Sequence, residues 1–156
     1  MTMISMDNIY LEVAADNYQE VLIKIGKLLQ KKGYVKESYT EALLEREELS
    51  PTGLPLSPWS VAIPHTDPEH VIQPCLIVFQ LKELVLFNEM ANPTNQVPVK
   101  YVFGLVFSDG KKQLKLLSDI IALTQNKQLM TTLFTSKSKE EIYKGLKMQL
   151  SEMKEE

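Results

Sequence analysis

The scarce reactive groups of this sequence are two histidines, His65 and His70, and one arginine, Arg46; the other sixteen basic residues are lysines. His65 ends the run Val61-Ala62-Ile63-Pro64-His65. Pro64 halts a short strand there, so His65 stands where the chain enters a loop, a common place for reacting groups. A neutral imidazole is a good nucleophile and can carry a covalent group on nitrogen. The other reading is a structural histidine bonded to a nearby carbonyl. Five residues on, His70 is either a second histidine of the same site or an exposed loop residue. The pair does not read as a metal site. Pro68 between them forbids a regular helix, their spacing is not the i, i+4 of helical zinc ligands, and no third ligand motif follows.

Arg46 lies in a helical stretch. At ~100° per residue it projects between Ala42 and Leu43 and beside Leu49, while Glu45, Glu47 and Glu48 point elsewhere. Its stem then either packs with the guanidinium in water, or the guanidinium turns inward and offers a planar fork of donors to an oxyanion. Gln113 starts a later helix on the stripe with Leu117 and Ile120, so it faces inward at a helix N-terminus, where anions are attracted. Capping of exposed amides is the alternative. Cys75 sits in an apolar run and reads as a buried small hydrophobe.

Helices and strands must hold these residues. Val21, Leu22, Ile25, Leu28 and Leu29 form one amphipathic stripe, capped by Asp16 or Asn17 and closed by Gly33. A second helix is expected from Ser38, with Glu41 completing a capping box, to about Leu49. Residues 50–59 hold three prolines and read as loop. Strands are expected at Ser60 to Ile63, Leu76 to Gln80 and Val99 to Phe107, with a weaker one at Leu84 to Phe87 and a polar loop from Asn88 to Pro98. Asp109 caps a helix with Leu114, Leu117, Ile120 and Ile121 on its apolar face; a short helix follows near Gln128 to Phe134. The last helix opens on Ser138 and Glu141 and lines up Ile142, Leu146, Leu150 and Met153. This interleaving predicts one α/β domain over residues 1–156, with a central sheet covered by helices on both faces.

Composition narrows the function classes. The 156 residues are 44% hydrophobic and 24% charged, which suits a globular domain. A net charge of −3 has the wrong sign for a nucleic-acid binder, and no apolar run approaches the ~18 residues of a membrane span. Met1 to Val13 carries Asp7 and no basic start, so it does not read as an export signal. With one cysteine and no such signal, the expected compartment is the cytoplasm.

Glu45-Arg46-Glu47, Pro51-Thr52-Gly53, Val61-Ala62-Ile63-Pro64-His65 and Gln113-Leu114-Lys115-Leu116-Leu117 occur in the order and spacing of a known family. From about Ile9 to Leu150 the chain resembles the fructose/mannitol-type enzyme IIA domains of the bacterial phosphoenolpyruvate-dependent sugar phosphotransferase system. Pro-Thr-Gly, the second histidine and Gln-Leu-Lys-Leu-Leu are most similar to the galactitol-specific branch. The resemblance implies a mixed β-sheet between helix layers and a phosphocarrier that needs no cofactor. His65 would accept a phosphoryl group from phospho-HPr and pass it to a cysteine of IIB, which phosphorylates a sugar entering through membrane-bound IIC. Arg46 would hold phosphoryl oxygens. Mannitol-type relatives usually have histidine where this chain has Gln113, and glutamine supplies a hydrogen bond but no charge or proton.

On that reading His65 is surrounded by a cation, Arg46, by the hydroxyls of Thr52 or Thr66, and by the amide of Gln113. Since the carrier must meet two proteins in turn, Leu54, Leu56 and Trp59 are expected at the rim of the site as docking residues. A regulatory protein phosphorylated at the same histidine is the second reading. A metal-dependent hydrolase using His65, Asp67 and His70 is the third, and the prolines disfavour it.

Overall fold

A computed structural model describes residues 4–152. After a 3-10 turn at Met6–Asn8 the elements are β1 (Ile9–Val13), α1 (Tyr18–Lys31), α2 (Tyr39–Leu49), β2 (Gly53–Leu54) and β3 (Ser60–Ala62). A second 3-10 turn, Pro68–His70, precedes β4 (Cys75–Asn88), β5 (Gln96–Val106), α3 (Gly110–Leu123), α4 (Lys127–Thr135) and α5 (Lys139–Glu152).

The sheet is mixed, in the order β1, β4, β5, β3, β2. β4 and β5 pair antiparallel at its centre, β1 lies parallel to β4 on one side and β3 parallel to β5 on the other, and β2 closes the edge antiparallel to β3. Both faces are covered, so the central strands read as almost unbroken apolar runs. On one face Ile77, Phe79 and Val102 pack with Leu22, Ile25 and Leu29 of α1 and Leu43 of α2. On the other, Val78, Tyr101 and Phe103 pack with Ile120 of α3, Leu133 of α4 and Ile142 of α5. This is the expected α/β sandwich.

Several local signals are realised. Asn17 Oδ1 accepts from Glu20 N at 2.9 Å, Gly33 ends α1 with a φ of +75°, and Asp109 accepts from the amides of Lys111 and Lys112. Ser138 Oγ accepts from Glu141 N at 3.2 Å, half of the expected capping box. Met153 lies outside the described residues.

Elsewhere the chain departs from expectation. The two segments Leu76 to Gln80 and Leu84 to Phe87 are one strand, β4, whose register shifts between Gln80 and Val85. That irregularity absorbs the polar Lys82-Glu83 step without ending the pairing. The loop expected from Asn88 to Pro98 shrinks to residues 89–95, because β4 runs to Asn88 and β5 begins at Gln96. β1 and β2 were not marked by the apolar pattern. β2 is two residues long, and β1 alternates only weakly and carries Glu12 at a φ of +54°.

Candidate functional site

Strand direction brings the reactive residues together. β3 and β5 are parallel, so the residues after β3 and those opening α3 leave the sheet at the same edge. β2 runs antiparallel to β3, so the C-terminal end of α2, which leads into β2, arrives at that edge too. His65, Gln113 and the pair Arg46-Glu47 therefore converge at one end of the sheet, from three stretches of chain.

His65 is half-buried, and its Nδ1 lies 2.8 Å from the carbonyl of Ile63. A carbonyl only accepts, so Nδ1 carries the proton and donates. Nε2 keeps its lone pair. Burial pushes the His65 pKa below the ordinary histidine value; the Ile63 bond raises it, the Arg46 charge lowers it and Asp67 raises it. The net lowering keeps the ring neutral near neutral pH, the state a nitrogen nucleophile needs. The next residue, Thr66, is buried.

Arg46 sits on the flank of α2. Its side chain is 38% exposed, and Nη1 donates to Asp67 Oδ1 at 3.1 Å. The buried stripe of α2 is Tyr39, Leu43 and Glu47, at i, i+4 and i+8. Arg46 thus stands beside the core and not within it, and Leu49, expected in the apolar sector, is 81% exposed. The apolar sector expected from the sequence is rotated by roughly 60° from the observed one, because a carboxylate occupies a position normally held by an apolar residue.

That carboxylate, Glu47, was missed. It is 4% exposed; Oε2 accepts the Thr52 N–H at 2.8 Å, and Oε1 accepts the Thr52 hydroxyl at 2.8 Å. Burial pushes its pKa up to about 7, against the lowering effect of the two Thr52 bonds. Thr52, expected to bind the phosphoryl group, instead directs its single hydroxyl proton at Glu47. The signal available in the sequence was the i, i+4 spacing from Leu43.

His70 is turned to α2. Its Nδ1 is 2.7 Å from Ser38 Oγ, which explains why Ser38 makes no side-chain cap on α2 despite its place at the N-terminus. Among the described residues no group of three or more His, Cys, Asp or Glu side chains is placed to hold a metal ion. Cys75 is buried, and its thiol is pushed up to about 12 by burial.

Gln113 is half-buried in the first turn of α3, and its Oε1 is buried without a hydrogen-bond partner. Turning the amide over places an unpaired donor in the same position. The apolar face of α3 is Leu116, Ile120 and Leu123, and Leu114 is 67% exposed instead of lying on it. At ~100° per residue Leu114 is about 120° from Ile120, whereas Gln113 is only about 20° away.

The expected docking residues, Leu54, Leu56 and Trp59, are partly buried against the core. Leu54 pairs with Val61 in β2, while Leu56 and Trp59 precede β3 and pack against the core. Trp59 stands edge-on to Phe134 of α4 at 5.5 Å, with Lys100 Nζ 5.7 Å above its ring. From Trp59 to His65 the chain is extended, which separates them by roughly 15–20 Å along the strand. Trp59 is at the opposite edge. Among the described residues, the exposed large apolar side chains on the stretches of chain that meet at the His65 end of the sheet are Leu49, Ile72 and Leu114.

The family described as phosphoenolpyruvate-dependent sugar phosphotransferase system, EIIA 2, matches residues 2–148. The chain belongs to this family. This EIIA chain is 33% identical over 116 residues to the galactitol-specific EIIA component of Escherichia coli strain K12, covering 74% of this chain and 77% of that one. It is 32% identical over 141 residues to the mannitol-specific phosphotransferase enzyme IIA component of Staphylococcus aureus strain N315, covering 88% and 90%. The crystal structure of mannitol IIA from Escherichia coli matches with a TM-score of 0.76 at 25% identity, covering 92% of this chain and 98% of that one. The same fold, at a TM-score of 0.76 and 24% identity, occurs in the Escherichia coli complex of mannitol IIA with phosphorylated mannitol IIB, covering 94% and 98%. Among the described residues of this EIIA chain no helix is long and apolar enough to cross a membrane.

Proposed function

We propose that this EIIA chain is a cytoplasmic phosphocarrier that accepts a phosphoryl group on Nε2 of His65. The supporting observation is the bond from His65 Nδ1 to the Ile63 carbonyl, which leaves Nε2 as the nucleophile. In the first transfer the Nε2 lone pair attacks phosphorus of phospho-HPr. The new Nε2–P bond forms as the P–N bond to the carrier's histidine breaks, and that histidine leaves with the electron pair. The His65 ring, still protonated at Nδ1, gains positive charge, and the Ile63 carbonyl and the nearby Asp67 carboxylate stabilise it. In the second transfer a cysteine thiolate of IIB attacks phosphorus and the neutral imidazole is restored.

Arg46 supplies the cation for the phosphoryl oxygens, with one donor already engaged by Asp67. Gln113 supplies a neutral amide donor, consistent with its unpaired buried polar atom, and Thr66 lies beside the nucleophile. Phosphoryl transfer needs positioning and charge stabilisation more than proton transfer, so glutamine in place of a second histidine suits the reaction. The docking face is Leu49 and Leu114, used in turn by HPr and IIB. The transported sugar is a sugar alcohol, galactitol, by similarity to the galactitol-specific relatives, and it enters through IIC. Incubation with phosphoenolpyruvate, enzyme I and HPr tests the carrier reading: one acid-labile phosphoryl group per chain is expected, and full labelling of His65→Ala would refute it.

A further inference from the structure

Among the described residues Glu47 is the only carboxylate in the buried interior. A buried carboxylate is a liability for stability, and an apolar side chain of similar volume would serve the packing of α2 at least as well. Its two partners show what it holds. Both are on Thr52, the backbone N–H and the hydroxyl. Thr52 in turn receives the Ile63 N–H, on its carbonyl at 3.1 Å and on Oγ1 at 3.3 Å. The carbonyl of the same Ile63 accepts from His65 Nδ1 at 2.8 Å. A continuous chain of hydrogen bonds therefore runs from Glu47 to the imidazole, and it pins Ile63 through both of its peptide groups.

We propose that Glu47 is a positioning residue for His65: acting through Thr52 and Ile63, it fixes the tautomer and direction of the imidazole so that Nε2 faces the incoming phosphoryl group. This rests on the reading of His65 as the acceptor. Arg46 and Glu47 divide the task between them. Arg46 ties down Asp67, two residues after His65, and Glu47 ties down Ile63, two residues before it. Neutral imidazole exchanges its proton readily between the two ring nitrogens, so a fixed acceptor at Nδ1 decides which nitrogen is nucleophilic. A carbonyl that wandered would leave part of the population protonated at Nε2 and inert.

Glu47→Gln keeps the volume but presents an NH2 group to one of the two Thr52 donors. With folding checked by the amide spectrum, two quantities are read: the ring 15N shifts of His65 in the unphosphorylated protein, and the rate of transfer from phospho-HPr. The expected result is a move from one Nδ1–H pattern to a mixture of tautomers and a rate loss of about tenfold, with labelling still reaching one phosphoryl group per chain. A folded Glu47→Gln in which either quantity keeps its parental value overturns the proposal. Thr52→Val, which removes the hydroxyl and keeps the N–H, is measured alongside in case the first variant does not fold. It should shift both quantities the same way, by about threefold in rate, and Thr52→Ser should restore them; a folded Thr52→Val with parental values of both quantities overturns the proposal as well. The two readings fail separately. Parental labelling of His65→Ala removes the acceptor, whereas an undisturbed His65 tautomer in a folded Glu47→Gln removes Glu47 alone.

Discussion

Arg46 Nη1 lies 3.1 Å from Asp67 Oδ1, and this contact ties the end of α2 to the loop that follows His65. Both side chains are partly exposed, so the pair contributes at most about 1 kcal/mol to folding. On the proposed reading, the pair aims a planar cation at the phosphoryl group. Arg46→Lys keeps the charge and loses the fork, so phosphoryl transfer should slow about tenfold or more with little change in melting temperature. Stopped-flow transfer from phospho-HPr at the parental rate would remove Arg46 from the phosphoryl group.

Gln113 is tested by an ordering of substitutions. Gln113→Ala should cost about 1 kcal/mol in transfer, close to a fivefold loss, if the amide donates to a phosphoryl oxygen. Gln113→His should remain active and acquire a pH dependence near the histidine pKa of about 6.5. Gln113→Glu should be slowest, because a carboxylate then faces a dianion. Helix capping alone would favour Glu in this first turn through the dipole. Rates for Gln113→Glu at or above the parent would assign the residue to the helix.

Leu49 and Leu114 are 81% and 67% exposed, so charging them should leave folding within about 0.5 kcal/mol of the parent. Leu49→Asp or Leu114→Asp should instead raise the KM for phospho-HPr about tenfold, as expected for apolar contacts at the centre of a small transient interface. Trp59 is at the other end of β3, so its emission should not change when HPr binds. A shifted Trp59 spectrum with unaltered KM values for both leucine variants would return the docking face to the proline-rich loop.

Glu47 makes stability depend on pH. Its pKa in the folded chain is about 7, above the 4.5 of an ordinary glutamate. A raised carboxylate pKa means the folded state binds the proton more tightly. The contribution is fully present below pH 4.5 and is lost as pH rises through 7. That loss is on the order of 3 kcal/mol over the window. His65, with its lowered pKa, acts in the opposite sense just below 6.5. Subtracting the urea-unfolding free energies of Glu47→Gln from those of the parent, both in a His65→Ala background, removes the His65 part. The difference should fall from pH 4.5 to 8, and a flat difference would contradict the burial of an ionisable Glu47.

The sandwich was legible because Leu76 to Gln80 and Val99 to Phe107 have the continuous apolar character of strands covered on both faces. The helices showed themselves by periodicity and by caps such as Asn17 and Asp109. The edge strand β2 was hidden because two residues give no alternation to read. In the site, His65 and the inward Gln113 could be placed from Pro64 and from the α3 stripe. Glu47 could not. Charged residues are assigned to the outside by default, and only the tertiary approach of Thr52 makes its burial tolerable. Trp59 was misplaced for another reason: proximity in sequence says nothing about which end of a strand a side chain occupies.

The most direct test of the central claim is the nitrogen that carries phosphorus. After phosphorylation by phosphoenolpyruvate, enzyme I and HPr, 31P–15N couplings in protein labelled at histidine identify the ring position. A single phosphoryl group on Nε2 of His65, with the proton retained on Nδ1 beside the Ile63 carbonyl, is the expected result. Phosphorus on Nδ1 of His65 or on His70 would contradict it.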